Sequence, residues 1–195
     1  LMSMRMDRVI SFNESFSLKV VANLINGMRA QSVHILEPHS GKVQDLIKEY
    51  WGDIYINMPN FTGYVPVLLD KNATDRYTCL GQNALICSKT YNLETGEADG
   101  FSIENPELLE DEELSGAPFV VIDSLCDDGK TFASVASILK EIAPKRGLAI
   151  FVTHMVNSKG IATLVDNYDE VYFTNSYFNW ENLELPEKVS VIKVV

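Results

Sequence analysis

Apolar positions along the chain fall into two rhythms. Short β-branched or aliphatic runs predict strands over residues 33–37, 64–69, 84–87, 119–123, 148–153, 171–173 and 189–195. Between them an apolar repeat of three to four residues predicts helices. The first carries a stripe of Val21, Leu24, Ile25 and Met28, with Asn13 as its cap and Gly27 near its end. A second helix is expected over residues 41–51. A third, over 130–141, sets Phe132, Val135, Ala136 and Leu139 on one face and is stopped by Pro144. A fourth surrounds residues 161–165. Residues 91–100 carry the Asn, Thr-Gly and Asp-Gly punctuation of a hairpin. Strands alternating with helices are the signature of βαβ units, so the expected class is α/β with a doubly wound, mostly parallel sheet.

Composition narrows this picture. At 195 residues and 46% hydrophobic, the chain can bury a sizeable core. Its longest apolar runs are strand-sized, so no segment is expected to cross a bilayer and no membrane partner is implied. No charged, apolar and small-residue succession opens the chain, so a signal peptide is not expected. The three cysteines, Cys79, Cys87 and Cys126, lack metal-ligand spacing and read as free thiols of a reducing, cytoplasmic compartment. A net charge of −11 argues against nucleic acid as a partner. Much of that charge lies in residues 104–113, read as a solvated loop. Phosphate binding by so acidic a chain requires local cations, aimed backbone amides or a divalent metal.

One segment carries the chemistry. Residues 119–132 read Phe-Val-Val-Ile-Asp-Ser-Leu-Cys-Asp-Asp-Gly-Lys-Thr-Phe, a hydrophobic strand running through acids and a glycine into a helix. Such a strand delivers residues to the carboxyl edge of the sheet, where open α/β sheets bind ligands. Asp123, at the strand end, can accept hydrogen bonds from two ribose hydroxyls. Gly129 permits close backbone approach. The Thr131 hydroxyl, the turn amides and the helix N-terminus then make a phosphate cradle. The bland reading of the same residues is an ordinary strand, turn and helix with acids at the cap.

The segment resembles the phosphoribosyl-diphosphate motif of type I phosphoribosyltransferases, and nearly the whole chain is similar to ribose-phosphate pyrophosphokinases, above all a short, divergent group from phages and some bacteria. Arg5-Met6-Asp7-Arg8 resembles the family's ATP-contacting Arg-x-Asp-Arg loop. Glu37-Pro38-His39-Ser40 resembles the strand end whose histidine helps hold the metal and the ATP phosphates. Lys89, followed by Glu94-Thr95-Gly96-Glu97, sits where the family has its catalytic lysine and a hairpin. Thr153-His154, Asn157-Ser158 and Phe173-Thr174-Asn175-Ser176 resemble later strand ends. The resemblance implies transfer of diphosphate from ATP to ribose 5-phosphate or a related ribosyl phosphate, giving phosphoribosyl diphosphate and AMP, with Mg2+ as cofactor, in an enzyme that forms a homo-oligomer. It further implies roles: Lys89 and Asp123 catalytic; Asp123, Ser124, Asp127, Asp128, Gly129, Lys130 and Thr131 for the ribose phosphate; Arg5, Asp7, Arg8 and His39 for ATP; His39 and Asp70 for the metal. Residues 1–58 would be a remnant of the family's N-terminal ATP-contacting half, itself part of a second similar α/β unit, and residues 59–195 the phosphoribosyltransferase-like domain.

The chain also departs from the family pattern. Ser124 stands where a second acid is usual, Lys130 where a glycine precedes the threonine, and Tyr91 where an arginine follows the lysine. The Pro-Asp-x-Gly phosphate loop is reduced to Asp70-Lys71-Asn72-Ala73. These changes keep a second function open, a non-catalytic regulatory or structural homologue that binds ribose phosphates without turnover. His154 reads as a support for its loop, and Tyr177, Phe178 and Trp180 as packing or a subunit contact. Lys130, a cation at a helix N-terminus, points to an anion nearby.

Overall fold

A computed structural model of the chain describes residues 16–54, 58–69, 73–74, 77, 84–91, 98–180 and 183–194. The chain divides into two compact units, Leu1–Asn57 and Met58–Val195.

In the first unit, helix α1 (Ser17–Gly27) leads to strand β1 (Val33–Leu36), the short helix α2 (Lys42–Leu46) and strand β2 (Tyr50–Ile54). The two strands pair in parallel, Val33 opposite Tyr50 and Leu36 opposite Ile54. The core is built by Leu18, Ala22, Val43 and Ile47, with Val21 and Ile25 packed against it. The expected stripe is therefore rotated: Leu24 and Met28 are exposed, and Leu18 and Ala22 take the inward positions. Asn13 lies outside the described residues; Phe16 precedes the first turn. The helix expected over 41–51 ends at Leu46, because Ile47 turns to extended backbone. Tyr50 and Trp51, both good strand formers, then enter β2. Asn26 ties the end of α1 to this turn, its Nδ2 donating to the Leu46 carbonyl at 2.9 Å and its Oδ1 accepting from the Lys48 amide at 3.0 Å.

The second unit is built, among the described residues, on a seven-stranded sheet. Its strands are β3 (Val65–Leu68), β4 (Leu85–Tyr91), β5 (Ala98–Ile103), β6 (Phe119–Cys126), β7 (Leu148–Met155), β8 (Glu170–Thr174) and β9 (Val189–Ile192), in the spatial order β5-β4-β3-β6-β7-β8-β9. Every neighbouring pair is parallel except β4–β5, the hairpin expected near residues 91–100. Its strands run further than expected, and residues 92–97 lie outside the described residues.

Helix α3 (Lys130–Ile142) joins β6 to β7, and helix α4 (Ser158–Asn167) joins β7 to β8. All four residues expected on the inner face of α3, Phe132, Val135, Ala136 and Leu139, are buried. They meet Phe119, Val121, Leu148, Ile150 and Leu164 in the main core. Tyr168 is buried among them, its hydroxyl donating to the Phe132 carbonyl at 2.8 Å. The acidic run 104–113 forms two short 3-10 turns at Pro106–Leu109 and Glu112–Leu114.

Chain order runs outward from β3 to β4 on one side and from β6 through β7 to β8 on the other. The neighbours β3 and β6 therefore flank a topological switch point. In doubly wound sheets the crevice beyond the strand carboxyl ends at such a point is where ligands bind.

Candidate functional site

Strand β6 delivers the candidate segment to that crevice. Val120, Val121 and Ile122 are fully buried, and Leu68 of β3 lies opposite Ile122. The expected strand end at Asp123 is passed: pairing with β7 continues to Cys126 opposite Met155, so β6 is three residues longer. Asp123 thus stands within the strand, half-buried, its Oδ1 accepting from the Ser124 amide at 2.7 Å. Ser124 is buried.

Asp127, Asp128 and Gly129 then form the loop that opens α3. Gly129 adopts φ +79°, and a Cβ there would lie 2.8 Å from the Thr163 Cβ. Only glycine fits both the left-handed backbone and the space. Asp128 Oδ1 accepts from the Lys130 amide at 3.1 Å, while Lys130 Nζ sits 2.8 Å from Asp128 Oδ2. The anion expected near Lys130 is thus a side chain of the loop itself. Their pairing holds the Asp128 carboxyl below the usual carboxylate range and raises the Lys130 ammonium. The Thr131 and Phe132 amides belong to the first turn, where no carbonyl of the helix can accept from them.

The start of α4 braces this loop. Asn157 caps α4, its Oδ1 accepting from the Lys159 and Gly160 amides at 2.8 and 3.2 Å, and its Nδ2 donates to Asp127 Oδ1. Thr163 Oγ1 donates to the Asp128 carbonyl at 2.8 Å. Gly160 is packed so closely that a Cβ would fall 2.3 Å from the Asp127 carbonyl oxygen. Neither Gly160 nor Thr163 stood out in the sequence. A glycine inside a helical pattern was the available signal for the first.

On the neighbouring strand ends, the Thr153 carbonyl accepts from Thr174 Oγ1 at 2.6 Å and from Ser176 Oγ at 3.1 Å. Ser176 Oγ also shares a hydrogen bond with His154 Nδ1 at 2.8 Å, whose direction follows the imidazole tautomer. His154, on β7, is thereby tied to Ser176 in the segment after β8. Trp180 packs edge-on to Phe173 and is buried, whereas Tyr177 and Phe178 are exposed.

The structure gathers Asp123, Ser124, Asp127, Asp128, Gly129, Lys130 and Thr131 into one strand–loop–helix. Lys89 projects from β4 opposite Phe101 and is exposed. His39 belongs to the first unit, in the turn after β1. Arg5, Asp7, Arg8 and Asp70 lie outside the described residues. Among the described residues no three His, Cys, Asp or Glu side chains gather as a metal cage. Nor is any helix among them long and apolar enough to cross a membrane.

Fold and site together define a doubly wound α/β protein with a helix N-terminus and paired acids at its switch point. No family model matches the chain. Its sequence is similar to that of a ribose-phosphate pyrophosphokinase from Hyphomonas neptunium, 25% identical over 210 residues covering 97% of this chain and 63% of the relative. Its structure is similar to that of the phosphoribosylpyrophosphate synthetase of Mycobacterium smegmatis, with a TM-score of 0.72 and 18% identity over 98% of this chain and 64% of that one. The family resemblance read from the motifs thus has a curated relative behind it, and the mostly parallel fold has a solved counterpart. The chain spans under two thirds of the length of each.

Proposed function

We propose that residues 119–132 bind ribose 5-phosphate and that the protein transfers diphosphate from ATP to its anomeric hydroxyl, giving phosphoribosyl diphosphate and AMP. The observation that carries this reading is the loop at the switch point. Gly129 turns the chain into α3, so that the Thr131 and Phe132 amides and the positive dipole end of the helix lie at the loop that follows β6 and its Asp123. Asp123 would orient the ribose hydroxyls, and Thr131 with the amides would hold the 5-phosphate. Lys89 would neutralise the diphosphate in transfer. Arg5, Asp7, Arg8 and His39 would hold ATP. Positioning and charge stabilisation dominate such transfers.

Magnesium fits the donor set as a guest of the phosphates. Asp127 gives one carboxylate oxygen to Asn157, and Asp128 gives both of its oxygens to Lys130, so among the described residues the loop offers no cage. An ion that keeps its waters and binds through substrate phosphates suits that arrangement, with His39 and Asp70 as its proposed protein contacts. When bound it would neutralise charge on the ATP phosphates.

The complete protein should release AMP from ATP and magnesium only when ribose 5-phosphate is present. Asp123→Asn should lower that rate about 10- to 100-fold, the scale of losing charge-assisted hydrogen bonds. A folded protein that forms no AMP with ribose 5-phosphate, or with any member of a panel of ribosyl 5-phosphates, would exclude the transfer. A second reading is favoured by buried Ser124 in the place of the family's second acid. It holds that the protein binds ribose phosphates and acts on a partner without turnover. Calorimetric binding of ribose 5-phosphate without AMP release would select it.

A further inference from the structure

The geometry points to Asp128 as a built-in competitor of the ligand phosphate, so that Lys130 and its amide are released to the phosphate only when the Asp128 carboxylate withdraws. This rests on the proposed ribose 5-phosphate site and names a device that tunes it. One carboxylate grips both kinds of donor that a phosphate would use here. Asp128 Oδ1 takes the Lys130 amide at 3.1 Å, and Oδ2 takes Lys130 Nζ at 2.8 Å. A phosphate cradle at a helix N-terminus offers first-turn amides and a nearby cation, and in this loop one of each is already occupied.

The two side chains are free to part. That of Lys130 is 86% exposed and that of Asp128 44%, so both can turn aside without unpacking the core. Their backbone is held more firmly. Thr163 Oγ1 holds the Asp128 carbonyl, and Gly129 is wedged against Thr163. The carboxylate can therefore leave while the amides stay aimed.

The charge around the loop explains what the device does. Asp123, Asp127 and Asp128 lie close enough together to raise the Cys126 thiol further than burial alone does. A phosphate dianion approaching that field is repelled unless a cation answers it. Lys130 is the cation on this loop. With Asp128 bound to it, ligands carrying little negative charge cannot draw it away. A dianionic phosphate competes for it successfully, at a cost in affinity that a ligand making no demand on Lys130 does not bear.

The test is calorimetric titration with ribose 5-phosphate and with ribose, using the whole chain and the variants Asp128→Asn and Lys130→Met. In Asp128→Asn the new side chain would keep an oxygen for the Lys130 amide but lose the charge, so the loop should stay ordered. Thermal melting without ligand checks this. Asp128→Asn should bind ribose 5-phosphate about three- to tenfold more tightly, the scale of one partly exposed charge contact. Ribose binding should not tighten. Lys130→Met should weaken ribose 5-phosphate binding. If the wild-type chain binds and Asp128→Asn binds equally or less well, Asp128 is only a loop cap and the inference is overturned, while the site stands. If Asp128→Asn tightens ribose as much as ribose 5-phosphate, the competition is not with phosphate and the inference also falls. If no protein binds ribose 5-phosphate, the site reading fails and takes the inference with it.

Discussion

Two glycines set the candidate loop. Gly129 must be left-handed, and Gly160 leaves room for the Asp127 carbonyl. Their consequences differ. Gly160→Ala forces a Cβ to 2.3 Å from backbone oxygen, which must move. It should cost about 1–3 kcal/mol in urea unfolding and weaken ribose 5-phosphate binding by shifting Asp127. Cys126 makes a second residue-scale prediction. Burial first, and then the nearby Asp123, Asp127 and Asp128, push its thiol up to about 12. Since only thiolate reacts, Cys126 should resist iodoacetamide at pH 8 in the native protein and be alkylated in urea, as read by peptide mass spectrometry. At this scale the sequence was a partial guide. Gly129 declared itself by its place before a helix, because a turn residue acts locally. Gly160 did not, because its necessity comes from a loop more than thirty residues earlier in the chain.

At the scale of elements, α3 and α4 bring their N-termini to one edge of the sheet. The inner face of α3 was legible residue by residue, since Phe132, Val135, Ala136 and Leu139 follow the helical period and all are buried. Leu139→Ala should destabilise the protein by about 2–5 kcal/mol, measured by chemical unfolding, with little direct effect on the loop. The cap of α4 acts at both places. Asn157→Ala removes two amide contacts and the hydrogen bond to Asp127. It should cost about 1 kcal/mol of stability and reduce ribose 5-phosphate affinity as well. α1 shows where periodicity misleads. Its apolar residues occupy more than one face, and the core selected Leu18 and Ala22 over Leu24 and Met28. The true length of β6 was also hidden. Asp123 and Ser124 read as a strand end, but the ladder with β7 supplies hydrogen bonds as far as Cys126.

At the scale of the molecule, the central sheet buries groups that must stay uncharged. Cys87 is pushed up to about 11 and Cys126 to about 12, both chiefly by burial, and Tyr168 is raised well above its ordinary value for the same reason. Each such group is neutral in the fold and ionises earlier in the unfolded chain, near pH 8.5 for a thiol. The unfolded state therefore binds fewer protons above that pH, and stability falls as pH rises from there toward 11–12. Urea midpoints should be flat from pH 7 to 8 and decline steadily between pH 9 and 11.

The order of hydrophobic runs by itself determined an α/β chain with strands and helices in this succession, since each period is a local property of side-chain direction. Motif residues at 119–132 likewise marked the candidate loop, because strand, glycine and helix lie together in the chain. Only the tertiary structure decided that β3 and β6 are neighbours with their connections leaving in opposite directions. Strand order is a matter of long-range pairing, and no local pattern encodes it. The same holds for the partner of Lys130. The sequence called for an anion beside a cation at a helix N-terminus, and the folded loop supplied Asp128, whose carboxylate reaches Lys130 only once Gly129 has turned the backbone back on itself.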